Sequence, residues 1–266
     1  PLSVESPLSI SYLVDSLGSC LLYGKNFNKL INTVASPESS QNDSLVFVKH
    51  SFPQASDLND FTAAAVVCRE QISIDINIHY CQIVTQDPLA WFISALNILF
   101  ELEQRPNISS SASISPQARL GNNVSIGASV IIEDHCIIGD STIIGANTII
   151  KSGTIIGKDC FIQSNNVIGS TGLGYHFPNS GGRLLFPHLG NVIIGDNVVI
   201  GSSSVIVKGQ LKDTLIESGV RLGNLVNIGH NVTIGTDTSI SSSCSVAGGA
   251  KIGASCNIAA GVIINA

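Results

Sequence analysis

From Ile108 onward an aliphatic side chain returns at every sixth position: Ile114, Leu120, Ile126, Ile132, Ile138, Ile144, Ile150, Ile156, Ile162 and Ile168. The residue after it is usually Gly or small, as at Gly121, Gly127, Gly139, Gly145 and Gly157. Two positions before it stands Val, Thr, Cys or another small residue: Val124, Val130, Cys136, Thr142, Thr148, Thr154, Cys160. The phase breaks after Gly169, resumes at Ile194, Ile200 and Ile206, breaks again, and runs from Ile216 to Ile264. A helix would need a period of 3.6 and a half-buried strand a period of 2. A period of six fits a short strand followed by a tight turn, three times per coil, which predicts a parallel β-helix of seven to eight coils. Glycine after the aliphatic residue is expected to supply positive φ at the turn. Ser, Thr and Asn are expected to cover the outer faces.

Residues 1–106 carry no hexads. Ser44–Val48, Ala63–Cys68 and Cys81–Thr85 read as strands, the middle one as a continuous apolar run typical of a buried parallel strand. Asp87 and Pro88 start a helix as N-cap and first residue, with Phe92, Leu96, Leu99 and Phe100 at helical spacing and Trp91 as a core residue. The chain is therefore expected to be mainly β: a small α/β domain over 1–106, then a β-helix over 107–266. The hexads are still in phase at Ala266, so a further segment is expected beyond it.

Composition agrees with this architecture. Charged residues are 12% and aromatics 5%, with 25 glycines. Stacked coils bury a column of Ile and Val without aromatics. No apolar run approaches the 18 or so residues of a membrane span. A formal charge of −6 has the wrong sign for a nucleic-acid surface. Seven scattered cysteines, odd in number and without a C-x-x-C, suit reduced thiols and a cytoplasmic location. No His/Cys grouping has metal spacing.

Once the Ile column is assigned to structure, chemistry falls to what breaks phase. The first break, Gly169–Gly190, holds Tyr175, Phe177, Phe186, His176 and His188. It either reaches over a ligand or a neighbouring subunit, or packs on its own coil. The second is Val207–Asp213. His230 stands two residues after the inward Ile228, at a turn or outer face, where an exposed imidazole can act as a general base near neutral pH. His50, His79 and His135 carry weaker claims.

The order of these features resembles the UDP-3-O-(3-hydroxyacyl)glucosamine N-acyltransferases of lipid A biosynthesis. The matching parts are the small first domain, Leu120–Gly127, the loop Gly172–Tyr175, Gly190–Asp196 and Gly229-His230-Asn231-Val232. The resemblance implies a left-handed coil and a homotrimer with sites between adjacent β-helices. It implies transfer of a 3-hydroxyacyl group from acyl carrier protein to the 2-amino group of a UDP-glucosamine lipid precursor, with no cofactor. His230 would be the general base and the Gly248 N–H would hold the oxyanion. Asn224 and Asn227 would line the site, Tyr175 would border it, and Phe47 with His50 would meet the uracil. The chain departs from the family where it has Val207-Lys208-Gly209 in place of Asp-Arg-Gly. It departs again where His50 and Pro53 replace Asn and Tyr after Phe47. Two other readings stay open: a nucleotide-sugar N-acetyltransferase using acetyl-CoA, and a non-catalytic β-helix scaffold.

Overall fold

The computed structural model describes residues 1–48, 62–71, 80–100 and 106–265. The chain divides into two compact units, 1–104 and 105–266.

In the first unit the strands are β1 (Leu2–Ser9), β2 (Cys20–Tyr23), β3 (Leu30–Ala35), β4 (Ser44–Phe47), β5 (Ala65–Cys68) and β6 (Cys81–Thr85). They form one sheet in the order β1-β3-β4-β5-β6-β2. The middle of the sheet, β3 to β6, is parallel, and the two edge strands are antiparallel. The three strands expected from the sequence are there; β1, β2 and β3 are additional. Helix α1 (Ile10–Leu17) is capped by Ser9, whose hydroxyl accepts from the Tyr12 N–H. Helix α2 (Pro88–Leu99) starts as expected, with the Asp87 carboxylate accepting from the Ala90 N–H. Trp91 is buried, and its indole N–H donates to the Gly18 carbonyl at 3.2 Å, so it is a core residue.

The second unit is a parallel β-helix of hexapeptides. Three flat faces stack two- to four-residue strands in register. The first face runs from Ser113–Ile114 to Ile263–Ile264, the second from Arg119–Leu120 to Lys251–Ile252, and the third from Ser125–Ile126 to Asn257–Ile258. Ile132, Ile150, Ile168, Ile206 and Ile228 follow one another up the first face, each paired with the next. Each hexad sends two residues inward, the aliphatic one and the small one two positions before it. Where the small residue is Thr, its hydroxyl needs a partner in the dry interior. Thr142 donates to the Gly157 carbonyl at 2.8 Å and Thr148 to that of Gln163 at 3.1 Å. Burying each Ile stabilises the coil by about 1.5–3 kcal/mol. All seven cysteines are free thiols. Cys136 and Cys160 occupy the small inward position, where burial pushes their thiols up.

Two expectations about the hexad are corrected. Gly121, Gly127, Gly139, Gly145 and Gly157 do not sit at positive φ; they stand where the next coil passes. A Cβ on Gly139 would lie 2.5 Å from the Gly157 carbonyl carbon. The left-handed residue comes two positions later, at Asn123 (φ 55°), Ser129 (56°), His135 (60°), Ser141 (55°) and Asn147 (59°). Short polar side chains tolerate that conformation best. His135 therefore belongs to the turns. The outer faces are also less polar than expected: Ile131, Ile137 and Phe161 are exposed. Among the described residues no helix is long and apolar enough to cross a membrane.

Candidate functional site

Both breaks in the repeat leave the first face and return on the second. The excursion after Val167–Ser170 rejoins at Val192–Ile194, and the one after Val205–Val207 rejoins at Thr214–Ile216. His230 follows Asn227–Ile228, and Gly248 follows Ser245–Val246, at the same corner of the next two coils. Four consecutive coils thus bring every phase-breaking feature to one edge of the prism.

The hydrogen bonds around His230 orient its ring. Asn231, the next residue, is the left-handed turn residue of that corner (φ 58°). Its backbone N–H donates to the Thr214 hydroxyl, and its side-chain NH2 donates to the Lys212 carbonyl at 2.7 Å. Its Oδ1 accepts from the Gln210 N–H at 3.2 Å, so the amide can point only one way. His230 Nδ1 lies 3.0 Å from that oxygen and must be the protonated nitrogen. Nε2 is left with the lone pair, the tautomer a general base requires. The Nε2 end of the ring lies over Gly248, where a Cβ would sit 2.5 Å from Nε2 and 2.7 Å from Cε1. The corner is closed by the Gly249 N–H donating to the His230 carbonyl at 2.8 Å. The structure therefore brings His230 and Gly248 into contact. It adds Asn231, whose only mark in the sequence is its place directly after the histidine.

The long excursion folds back as a hairpin, Tyr175–His176 against Leu184–Leu185. Tyr175 is exposed, with the Arg183 guanidinium 5.7 Å from its ring centroid. His188 ends the loop and is buried at 4% exposure, its ring 5.6 Å from that of His230 in an edge-to-face arrangement. Gly172 and Gly174 pass over it: a Cβ on Gly172 would lie 2.8 Å from His188 Nε2, and one on Gly174 3.6 Å from its Cε1. Burial, with the nearby Lys208 and His230 adding to it, holds the His188 imidazole below the usual histidine range.

The remaining expected residues lie further out. Asn224 sits at the corner before the first face, where its Oδ1 accepts from the Ser202 N–H at 2.8 Å and so ties two coils together. Asn227 is exposed on the face that leads to His230. Among the described residues no hydrogen bond joins either to the imidazole. Phe47, in the other unit, ends β4 and stacks on Phe92 with ring centroids 5.5 Å apart. His50 lies outside the described residues, as do Pro53 and His79. Among the described residues no group of three or more His, Cys, Asp or Glu side chains could hold a metal ion.

Two segments match known families: residues 135–170 match "Bacterial transferase hexapeptide (six repeats)" and residues 191–234 match "Hexapeptide repeat of succinyl-transferase". The UDP-3-O-acylglucosamine N-acyltransferase of Pseudoalteromonas translucida is 50% identical over 74 residues, 27% of this chain and 21% of the relative. The enzyme of the same name from Porphyromonas gingivalis is 47% identical over 72 residues, 27% of this chain and 20% of the relative. The aligned stretch thus spans about a fifth of the curated relatives' length. The UDP-N-acetylglucosamine acyltransferase of Bacteroides fragilis superposes with a TM-score of 0.40 at 26% identity, over 59% of this chain and 70% of that one. Over its matched stretches, this chain carries hexapeptide repeats of the bacterial transferase kind, homologous to those of UDP-3-O-acylglucosamine N-acyltransferases.

Proposed function

We propose that the protein is an N-acyltransferase of lipid A biosynthesis. It moves a 3-hydroxyacyl chain from acyl carrier protein to the 2-amino group of UDP-3-O-(3-hydroxyacyl)glucosamine. The observation that carries this reading is His230, held by Asn231 with its Nε2 lone pair free, over the Gly248 backbone. In this mechanism the neutral amine attacks the thioester carbonyl and His230 Nε2 takes one of its protons. The Gly248 N–H faces the oxygen that becomes negative, a contact of the kind worth about 3–4 kcal/mol in the transition state. As the tetrahedral intermediate collapses, the C–S bond breaks and the imidazolium returns its proton to the departing thiolate.

The rest of the assignment follows the relatives' printed name and the resemblance in sequence. Asn224, Asn227 and Tyr175 would border the sugar, and Phe47 with His50 in the first domain would meet the uracil. The protein would work in the cytoplasm as a homotrimer with sites between adjacent coils. Replacing His230 with Ala is expected to lower kcat/KM with an acyl carrier protein donor by about 10²–10⁴-fold and to leave the melting temperature unchanged. Near-normal turnover by that variant would overturn the reading. Turnover of the wild type with acetyl-CoA as sole productive donor would move the assignment to a nucleotide-sugar N-acetyltransferase. No turnover with either donor would favour a scaffold.

A further inference from the structure

One buried hydroxyl near the base departs from the pattern of its counterparts. Thr142, Thr148 and Thr238 stand at the small inward position of the hexad, and each spans to the coil above in the same way. The hydroxyl donates to a carbonyl fifteen residues on, at Gly157, Gln163 and Gly253. It accepts from the N–H eighteen residues on, at Cys160, Asn166 and Cys256. Thr214 stands at the same position, two before the inward Ile216, and is fully buried. Its hydroxyl makes neither bond. It donates seven residues back, to the Val207 carbonyl at 2.8 Å, and accepts from the Asn231 N–H, seventeen residues on, at 2.9 Å. Thr154, two coils below on the same face, also turns its hydroxyl back, to the Lys151 carbonyl. Among the described residues it accepts no N–H from another coil. Thr214 alone thus joins the start of the second break to the residue that holds the base.

We propose that Thr214 is a positioning residue for His230: its hydroxyl ties the mouth of the second break to the main chain of Asn231 and so sets where Asn231 holds the imidazole. This inference rests on the acyltransferase reading for its kinetics but not for its geometry. Asn231 has three anchors besides His230: the Thr214 hydroxyl at its backbone N–H, the Gln210 N–H at its Oδ1 and the Lys212 carbonyl at its side-chain NH2. The last two belong to the break itself. They grip the tip of a side chain that turns about two bonds, so they fix its direction and leave its root free. The hydroxyl holds the root, and through Val207 it joins that root to the loop that carries the other two anchors. Without it, the Val207 carbonyl and the Asn231 N–H lose their partners in a dry corner, and each must move to find another. The Asn231 oxygen moves with them, and His230 Nδ1, 3.0 Å away, follows it. The loop keeps its own closure in that case, because the Gly209 and Thr214 N–H groups both donate to the Asn191 carbonyl. What is lost is the alignment of the base, which costs rate more than binding.

The test compares Thr214→Val, Thr214→Ser and Thr238→Val in the whole protein. Valine removes the hydroxyl and keeps the branched shape, whereas serine keeps the hydroxyl. Thr238→Val is the control, since it removes an equally buried hydroxyl of the ordinary kind from the third face. Both valine variants lose buried hydrogen bonds, so each should melt a few degrees below the wild type. With an acyl carrier protein donor, Thr214→Val is expected to lower kcat about tenfold with little change in KM. Thr214→Ser should recover most of that loss, and Thr238→Val should leave kcat and KM as they are. The second readout needs no substrate: hydrogen exchange of the Gln210 backbone amide, which donates to Asn231 Oδ1 and makes no bond to Thr214. Its protection should fall in Thr214→Val and stay at the wild-type level in Thr214→Ser and Thr238→Val. Equal kcat in the two valine variants, or unchanged Gln210 protection in Thr214→Val, overturns the inference, because the hydroxyl then only holds coils together as the others do. If the wild type turns over no donor, the acyltransferase reading falls and Gln210 protection alone decides the inference. If Thr214→Val fails to fold, Thr214→Ala takes its place beside Thr214→Ser, and equal Gln210 protection in those two overturns the inference.

Discussion

At the scale of single residues the site depends on what is missing at position 248. The His230 imidazole occupies the space a side chain would fill there, so Gly248 is needed for clearance and not for backbone freedom. Gly248→Ala would place a methyl carbon 2.5 Å from Nε2, well inside contact distance. The ring must then swing away and stretch its bond to Asn231. A displacement of about 1 Å in a reacting group can cost about 10²-fold. We expect kcat/KM to fall by that order while the melting temperature stays within a degree or two, measured by steady-state kinetics beside thermal unfolding. His230 was legible as a residue outside the Ile column, and Gly248 only through the family resemblance. His188 was legible only as one of two histidines in the phase-breaking loop; its burial beside His230 was not, because that depends on residues of another coil, reached by a loop whose path no periodicity records.

At the scale of the hexad, two small-residue positions have different physical reasons. The position after the inward aliphatic residue is crowded by the next coil, whereas the one two residues later is strained in φ. Gly139→Ala is therefore expected to destabilise by about 1–3 kcal/mol, as overpacking does. Asn147→Gly, which relieves a left-handed residue and loses only a small side chain, is expected to change stability by about 0.5 kcal/mol or less. Urea unfolding of the two variants checks this; a larger loss at Asn147 than at Gly139 would reverse the assignment. The hexad period was fully legible, but the phase of the turn within it was not. Composition says only that Gly and Asn recur. It cannot tell whether a glycine is there for its φ or for its missing Cβ.

At the scale of the molecule the two units differ in how far sequence reaches. The β-helix repeats one solution, so its strands followed from counting. In the first unit the central strands β4, β5 and β6 are apolar on both faces and stood out, whereas the edges did not. Leu2 in β1 and Leu21 in β2 are exposed, and the pairing of β1 with β3 slips between Ser3 and Leu8, so neither edge keeps a clean alternation. In the β-helix each coil touches only its neighbours. Ile200 pairs with Ile162 below and Leu222 above. Ile200→Ala is expected to cost about 2–5 kcal/mol. The lost protection should concentrate in the coils around those three residues, as read by hydrogen exchange. Loss spread evenly along the chain would mean that the coils melt as one body.

His230 and Gly248 stand eighteen residues apart, one full circuit of the prism. In a stack with translational symmetry, that offset makes them the same address on successive floors. Asn231 and Gly249 share the next address, and there too a side chain is followed by none. The headroom above the His230 ring is thus set by ordinary register arithmetic. What a coil carries at this corner decides whether the floor beneath it has headroom: the imidazole of His230 fits because eighteen residues on, at Gly248, there is no side chain.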